Sequence, residues 1–220
     1  KDELAANARG RIPNRGMEGL AISPDGSKLY GIMQSPLIQD NAGEKDKDGK
    51  VVWTGRNARI LEVDVATGKT REFVYRLDDP GYGVSEILAV NDHQFLVLER
   101  DGKGGTDAKY KKLALIDLTG ATDVSGTDAL PPGDLPPAVV PVKKKPFLDL
   151  LDPRFGIAGE GCPEKFEGIA FGPDLPDGRR LLLVVADNDF AADQPIRFYA
   201  FAVDRADLPG FAHQQFDARE

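Results

Sequence analysis

The sequence predicts an all-β protein, more specifically a β-propeller, and three observations lead to this. The 220 residues include 24 glycines and 16 prolines, and long helical periodicities are few, which indicates short elements joined by tight turns. Short apolar runs alternate with polar turns along most of the chain. One such pattern, opening with a glutamate, occurs three times, at Glu18, Glu86 and Glu167. Repeats of this size with about four strands each are typical of propeller blades.

The first predicted blade covers approximately residues 17–77 and contains four strands. GLAIS and KLYGIMQ flank the turn SPDGS, and ARILEVDV and TREFVYRL flank the turn ATGK. In the first of these turns, Asp25 and Gly26 tolerate the positive φ that a tight hairpin needs. A polar insertion at residues 38–57 separates the two hairpins. We therefore expect one twisted sheet of four antiparallel neighbours.

Two further blades are predicted, at approximately residues 84–147 and 165–204. The second contains SEILAV, FLVLER and KKLALIDL, but its fourth strand is not evident, because residues 121–147 are dominated by Pro, Asp and Gly. We interpret that stretch as a surface excursion. The third contains FEGIAFG, RRLLLVVAD and RFYAFAVD. All the predicted strands of a blade are expected to be antiparallel neighbours.

Three blades are too few to close a propeller, which usually has about four to eight. An open stack would leave sheet faces exposed at both ends. We therefore expect this chain to form the C-terminal half of a six-bladed propeller. The missing blades would come from another segment or from a second copy of the chain.

Charge and composition exclude several classes of function. The net charge of −8 argues against nucleic acid or an anionic membrane surface as the partner, since both require a basic face. No run of about 18 apolar residues is present, so no membrane span is expected. One cysteine and two histidines, without a G-x-S-x-G motif, do not fit a serine, cysteine or zinc hydrolase. A bound cation suits the acidic composition better.

Strand geometry suggests where such a cation would bind. The first residues of one strand and the last residues of its antiparallel partner lie at the same end of a sheet. Glu18, Glu86 and Glu167 are therefore expected to converge at one mouth of the central channel of the propeller. Carboxylate oxygens held together favour Ca²⁺ or Mg²⁺. With Asp187 and Asn188, which follow the second strand of the third blade, they form the predicted metal site.

In this hypothesis the metal polarises an ester or phosphoryl oxygen and activates a bound water. Arg100 would contact the anionic group of the substrate and Asp187 would take part in the reaction, so these two are the candidate catalytic residues. A structural alternative stays open. In it, each glutamate accepts hydrogen bonds from backbone N–H groups at its strand, and the nearby arginine is a structural ion pair.

Several separated strings also resemble one protein family. NRGMEGLAISPDGSKLY, RILEVDVATGKTREFVYRL, VSEILAV, FLVLERDG, LIDLTGATDV and FEGIAFGPDLPDGRRLLLVVADNDF are similar, in this order, to the phytase-like family of bacterial secreted proteins with esterase-like activity. The resemblance runs from about Asn14 to Phe201. It implies a β-propeller, export to the periplasm or the cell exterior, and a phosphoester or carboxyl-ester substrate. Members commonly carry more sequence before the NRGMEG motif.

Two classes of function therefore remain open at this stage. The first is a secreted hydrolase acting on a small-molecule ester or phosphoester, with metal assistance at the channel mouth. The second is a propeller without catalytic activity that recognises a ligand or protein on its loop-rich face.

Overall fold

The computed structural model describes residues 7–49, 51–191 and 195–215, and in these ranges the protein is all-β. The described residues contain thirteen strands in four antiparallel sheets, joined by turns and four short 3₁₀ segments. Within the described ranges none of the sheets closes on itself. No helix in these ranges has the length and apolar character needed to cross a membrane. The predicted all-β class is confirmed.

The first half of the chain forms one four-stranded sheet and a small hairpin. Its strands are β1 (Met17–Ile22), β2 (Lys28–Met33), β3 (Gly43–Lys45), β4 (Val51–Trp53), β5 (Asn57–Asp64) and β6 (Thr70–Arg76). The first sheet has the order β1-β2-β5-β6, as predicted, and β3 pairs with β4 inside the polar insertion.

The second half forms two more sheets. Its strands are β7 (Gly83–Ala89), β8 (Gln94–Arg100), β9 (Lys111–Asp117), β10 (Lys143–Asp149), β11 (Lys165–Phe171), β12 (Arg180–Asp187) and β13 (Arg197–Val203). The second sheet has the order β7-β8-β9-β10 and the third β11-β12-β13. Consecutive strands are neighbours in both sheets; a short turn joins β7 to β8, whereas a long connection leads from β9 to β10.

Strand β10 corrects the prediction that residues 121–147 are only a surface excursion. Its sequence KKKPFLD carries three lysines and a proline, which disfavour a central strand. The lysines and the proline are tolerated because β10 is the edge strand of the second sheet. The register with β9 shifts between Pro146 and Leu148, a bulge that accommodates the missing N–H of the proline.

Two apolar cores lie between the three large sheets, one between the first and second and the other between the second and third. Along β8 the side chains alternate: Phe95 and Val97 pack with the first sheet, whereas Leu96 and Leu98 pack with the third. All four are 0% exposed. Alternation along a strand places successive side chains on opposite faces. The second sheet is therefore the central layer and is buried on both sides.

The segment before β10 packs onto the first sheet. Val124 and Leu130 form a small core with Val74. The carboxylate of Asp40, which is 0% exposed, accepts a hydrogen bond from the Leu130 N–H at 2.7 Å and pairs with Arg59 at 2.7 Å. A buried carboxylate must be paired or hydrogen-bonded to be tolerated. This pair anchors the long connection.

A second buried charge joins the first sheet to the second. Glu99, only 1% exposed, accepts hydrogen bonds from the Tyr75 hydroxyl at 2.5 Å and from the Asp78 N–H at 2.8 Å. The Lys144 Nζ lies 2.6 Å from Glu99 and 2.7 Å from Asp78. Lys144 of the edge strand is thus the cation that neutralises the buried Glu99 carboxylate.

We expect Lys144→Met to lower the free energy of unfolding by about 3 kcal/mol, because removing one partner of a buried ion pair leaves an uncompensated charge. Urea unfolding at pH 7 measures it. Lys145→Met, at the next and exposed position, is the matched control and is expected to change stability little. Adding Glu99→Gln to Lys144→Met should restore part of the loss. Equal stability of the two methionine variants would contradict this account.

Candidate functional site

β1, β7 and β11 all contain a bulge near their first residues. The pairing register shifts between Met17 and Gly19, between Val84 and Glu86, and between Phe166 and Gly168. The extra residues are therefore Glu18, Ser85 and Glu167. A bulge bends the strand and re-aims its side chains. Glu18 and Glu167 are themselves the bulge residues of their strands, whereas Glu86 is the residue after the bulge. The three glutamates, which the sequence repeat aligned, are therefore not at equivalent positions.

The carboxylates of Glu18 and Glu86 bind backbone N–H groups. Glu18 Oε1 accepts from Gly16 N at 3.0 Å. Glu86 Oε1 accepts from Ile87 N at 3.0 Å and from Leu20 N at 3.2 Å, so it links β7 to β1. Burial raises the pKa of Glu86, and the two backbone hydrogen bonds oppose this. Both glutamates match the strand-capping interpretation.

Glu167 forms an ion pair with Arg100, 2.5 Å from its Nη2 atom. Arg100 also donates from Nε to Ser85 Oγ at 3.0 Å and to the Phe166 carbonyl at 3.2 Å, and from Nη1 to the Asp101 carbonyl at 3.3 Å. Its side chain is 11% exposed. The guanidinium therefore ties the ends of β7 and β8 to β11, in the second and third sheets.

The predicted calcium or magnesium ligands Glu18, Glu86 and Glu167 each contact donor groups of the protein. Among residues 7–49, 51–191 and 195–215, no group of three or more His, Cys, Asp or Glu side chains lies together in a way that could hold a metal ion. Because Glu18, Glu86 and Glu167 bind different protein donors, the described residues do not form a carboxylate cage. Metal binding by these residues, Asp187 and Asn188 stays a prediction.

A buried lysine fixes the loops beside Arg100. Lys111 is 0% exposed, pairs with Asp101 at 2.8 Å and donates to the Glu164 carbonyl at 2.6 Å. The Asp101 carboxylate also accepts from the N–H groups of Lys109 and Tyr110 at 2.6 and 3.0 Å. Burial alone would raise the pKa of Asp101, but these hydrogen bonds hold it below its usual value. The loop between β8 and β9 is thereby attached to the segment before β11.

A cleft of about 390 Å³ opens between these loops. Its walls come from the loop after β8, from the segment leading into β11, and from Asn188, Asp189, Ala191 and Pro195 between β12 and β13. The charged and amide side chains that line it are those of Glu160, Glu164, Lys165, Asp187, Asn188, Asp189 and Arg197. Asp187 and Asn188 are therefore the sequence-predicted site residues that line this cleft.

The turn after β12 has an unusual backbone. Asp189 and Phe190 have φ of 52° and 60°, and a bulky residue in this left-handed region is uncommon and costs energy. Phe190 is also fully exposed. The turn is held by Asn188, whose side chain donates to the Ala191 carbonyl at 3.1 Å. Strain of this kind is concentrated at functional sites, which favours this edge of the cleft as a ligand-binding region.

Two cations lie in the cleft. The Lys165 Nζ is 2.6 Å from Asp189, and this hydrogen bond raises the pKa of Lys165. Arg197 donates to the Gly161 carbonyl at 2.6 Å. Asp187 accepts from the Asn188 N–H at 2.7 Å and is exposed at the end of β12. The cleft can therefore offer two fixed cations and a solvent-accessible carboxylate to one ligand.

The structure separates the sequence-predicted residues into two groups. Asp187 and Asn188 line the cleft, whereas Glu18, Glu86, Glu167 and Arg100 do not. Sequence reasoning missed Lys165 and Arg197. A weak signal existed, because each is the first residue of a strand that flanks a polar loop, but the long separation between them in the chain hid their proximity.

Another cavity, of about 870 Å³, lies beside the edge strands β10 and β13. Phe147, Phe155 and Phe201 are among its lining residues. Among the described residues, it is lined by three charged side chains, those of Lys145, Arg179 and Asp207. The smaller cleft is lined by more charged side chains, including the Lys165–Asp189 ion pair. We therefore place the candidate site in the smaller cleft.

We predict that Glu86→Gln raises the free energy of unfolding at pH 7. The folded protein raises the pKa of Glu86 above its ordinary 4.5, so the ionised carboxylate opposes folding. This penalty is absent below about pH 4.5 and develops as the pH rises through the raised pKa. The glutamine oxygen can still accept both backbone hydrogen bonds.

Urea unfolding from pH 4 to 8 measures the difference between the variant and the wild type, which should grow with pH. Glu18→Gln, at an exposed position, is the control and should remain close to wild type throughout. A Glu86→Gln protein that is less stable than wild type at pH 7 would show that the charge of this carboxylate is needed.

Comparisons with known proteins agree with the sequence resemblance. Residues 1–190 match the family described as "Phytase-like: Esterase-like activity of phytase". An uncharacterized secreted protein of Arthroderma benhamiae is 38% identical over 117 residues, which are 46% of this chain and 22% of that protein. The chain thus spans about a fifth of the length of this curated relative.

No solved structure matches the chain. The family assignment therefore depends on the sequence match, which covers well over half of the 220 residues. The chain belongs to the phytase-like family described by esterase-like activity.

Proposed function

We propose that the protein is a secreted ester hydrolase built on a β-propeller, and that its substrate binds in the cleft beside Asp187. The family match over residues 1–190 carries this proposal. The cleft supports it, because carboxylates and cations from three chain segments meet there next to a strained turn.

Propeller architecture is supported by the way in which the sheets repeat. The first and second sheets each have four antiparallel strands in sequence order, and the third repeats the first three. Each begins with a bulged strand, and apolar cores fill the spaces between consecutive sheets. Secretion is supported by the relative of Arthroderma benhamiae, which is itself named a secreted protein.

The charge of the cleft favours a carboxyl ester over a phosphomonoester. Four carboxylates, those of Glu160, Glu164, Asp187 and Asp189, face two cations, Lys165 and Arg197. A phosphomonoester dianion would be repelled by this excess of negative charge unless a cation accompanied it. A carboxyl ester is neutral and develops only one negative charge during hydrolysis, which Lys165 or Arg197 can stabilise.

Asp187 is the best-placed general base for this reaction. It lies at the end of β12 on the cleft wall, is exposed to solvent and can accept a proton from a water that attacks the ester carbonyl. Lys165 and Arg197 would bind the resulting oxyanion. When this tetrahedral intermediate collapses, the C–O bond to the alcohol breaks and the proton held by Asp187 passes to the leaving alkoxide, so that a carboxylic acid and an alcohol are released. Arg100 acts as a positioning residue, because its guanidinium is bonded to Glu167 and to the backbone of β11.

We expect Asp187→Asn to lower kcat/KM for p-nitrophenyl acetate about 100-fold, since a positioned general base contributes about 10²–10⁴ in rate. The matched control is Asp177→Asn. Asp177 is also exposed, but it lies in the turn between β11 and β12, at the opposite end of these strands. The control should keep wild-type kcat/KM and wild-type unfolding.

The assay also includes p-nitrophenyl phosphate, with EDTA and with added calcium. Activity on the acetate that is insensitive to EDTA supports the carboxyl-ester proposal. Calcium-dependent turnover of the phosphate alone would instead support the predicted metal site. Absence of turnover of every substrate would overturn the hydrolase proposal and favour a binding propeller.

A further inference from the structure

Lys111 is a fully buried lysine whose ammonium group contacts one wall of the cleft. Its Nζ atom lies 2.8 Å from the Asp101 carboxylate and donates to the Asp101 carbonyl at 2.9 Å and to the Glu164 carbonyl at 2.6 Å. An ammonium group has three N–H donors, so each of them has an acceptor. A lysine is tolerated in the interior only with such partners. The position of Lys111 is therefore determined by the loop after β8 and by the segment before β11.

Residues 161–164, which we call the cleft wall, all line the cleft. The wall is attached to the loop after β8 at two points. At one end, the Glu164 carbonyl accepts a hydrogen bond from Lys111. Nearer the middle, the Cys162 carbonyl accepts a hydrogen bond from the Gly105 N–H at 2.9 Å. Lys111 is the side chain that holds the wall, because the second contact joins backbone groups alone.

The guanidinium of Arg197 is held by the same wall. Its Nη1 atom donates to the Gly161 carbonyl at 2.6 Å. Lys165, the other cation of the cleft, is held by different contacts, since its Nζ pairs with Asp189 at 2.6 Å and its backbone pairs with Asp187 of β12. A displacement of the wall would therefore move the acceptor of Arg197 and leave the contacts of Lys165 in place.

We propose that Lys111 is a positioning residue for the hydrolysis, which holds the cleft wall so that the Gly161 carbonyl directs the Arg197 guanidinium at the developing oxyanion. This inference rests on the proposed function, in which Arg197 binds the oxyanion. A donor stabilises a transition state only when it is already aligned with the charge that develops there. A misplacement of about 1 Å, even one caused by a distant residue, can cost about 10²-fold in rate.

Lys111→Met tests the proposal, because methionine keeps an unbranched apolar stem and removes the ammonium group. We expect kcat for p-nitrophenyl acetate to fall about 10-fold with KM nearly unchanged, since the oxyanion exists only in the transition state and the intermediate. Lys112→Met is the matched control. Lys112 is the next residue of β9, is 37% exposed and pairs with Asp149, so this variant should keep wild-type kcat. Both variants should keep wild-type circular dichroism.

Double variants test whether the effect passes through Arg197. In an Arg197→Met background, Lys111→Met should change kcat by less than about 2-fold, because the group that it positions is absent. In a Lys165→Met background it should keep its effect of about 10-fold. Equal effects of Lys111→Met in the two backgrounds, or an unchanged kcat in the single variant, would overturn the proposal.

Gly104→Ala disturbs the wall without removing a charge, and it provides the test if Lys111→Met does not fold. A Cβ atom on Gly104 would lie 3.1 Å from the Glu164 N atom and 3.2 Å from the Cys162 carbonyl oxygen, so the wall would have to move away. Gly102→Ala is the matched control, because a Cβ atom there meets nothing within 4 Å. We expect Gly104→Ala to lower kcat and Gly102→Ala to leave it unchanged. Wild-type kcat in both variants would contradict the proposal.

Cys162, the one cysteine of the chain, offers a measurement that does not depend on turnover. Its side chain lies in the cleft wall and is 5% exposed. Burial raises the pKa of this thiol and Lys111 lowers it, so the loss of Lys111 by itself would slow the reaction with Ellman's reagent. Release of the wall would expose the thiol instead. We therefore expect Cys162 of Lys111→Met to react about 10-fold faster than in the wild type.

The two measurements separate this inference from the proposed function. Absence of ester turnover by the wild-type protein would overturn the proposed function, and the reaction of Cys162 would then decide by itself whether Lys111 holds the wall. A Cys162 that reacts no faster in Lys111→Met than in the wild type would overturn the inference, whatever the turnover.

Discussion

The structure depends on the need of the second sheet to bury two apolar faces. In β8, Phe95 and Val97 point to one side and Leu96 and Leu98 to the other, and all four are 0% exposed. A strand that is apolar on both faces cannot be stable at a surface. It requires a layer on each side, and the first and third sheets supply these layers for the second. The order of the three sheets follows from this requirement.

Polar side chains cannot enter those layers unpaired, and this decides where the charged residues lie. The bulges near the first residues of β1, β7 and β11 bring Glu18, Ser85 and Glu167 to the ends of the strands. Arg100 then joins two sheets by bonding Ser85 and Glu167. Close approach of β1 and β7 is possible because Gly19 has no side chain, since a Cβ atom there would lie 2.6 Å from Ile87 N. The ends of the strands are therefore well ordered and can support loops that form a cleft.

Much of the fold was predictable, because the short apolar runs of β1, β5, β8 and β12, separated by turn residues, indicate strands directly. Strand β10 was not, since its three lysines and Pro146 resemble a loop, and only its position at the edge of the sheet makes them tolerable. The site was less predictable still. The sequence repeat aligned Glu86 with Glu18 and Glu167. In β7, however, the bulge residue is Ser85, so that Glu86 occupies the next position of its strand, and the pattern of apolar residues does not reveal this shift. Lys165 and Arg197 lie near Asp187 because β11 and β13 both pair with β12, which places Lys165 opposite Asp187 and Arg197 opposite Ala186; this follows from the register of the strands, which the sequence alone did not indicate.

The order of the cleft depends on the edge strand of the third sheet. Arg197 is the first residue of β13 and lines the cleft. Among the described strands, β13 pairs with β12 alone, and a strand with one bonded neighbour is freer to move than one with two. Arg197 pairs with Ala186 of β12 and donates a hydrogen bond to the Gly161 carbonyl at 2.6 Å. These two contacts therefore limit the motion of the edge strand where it meets the cleft and hold the Arg197 guanidinium beside Asp187.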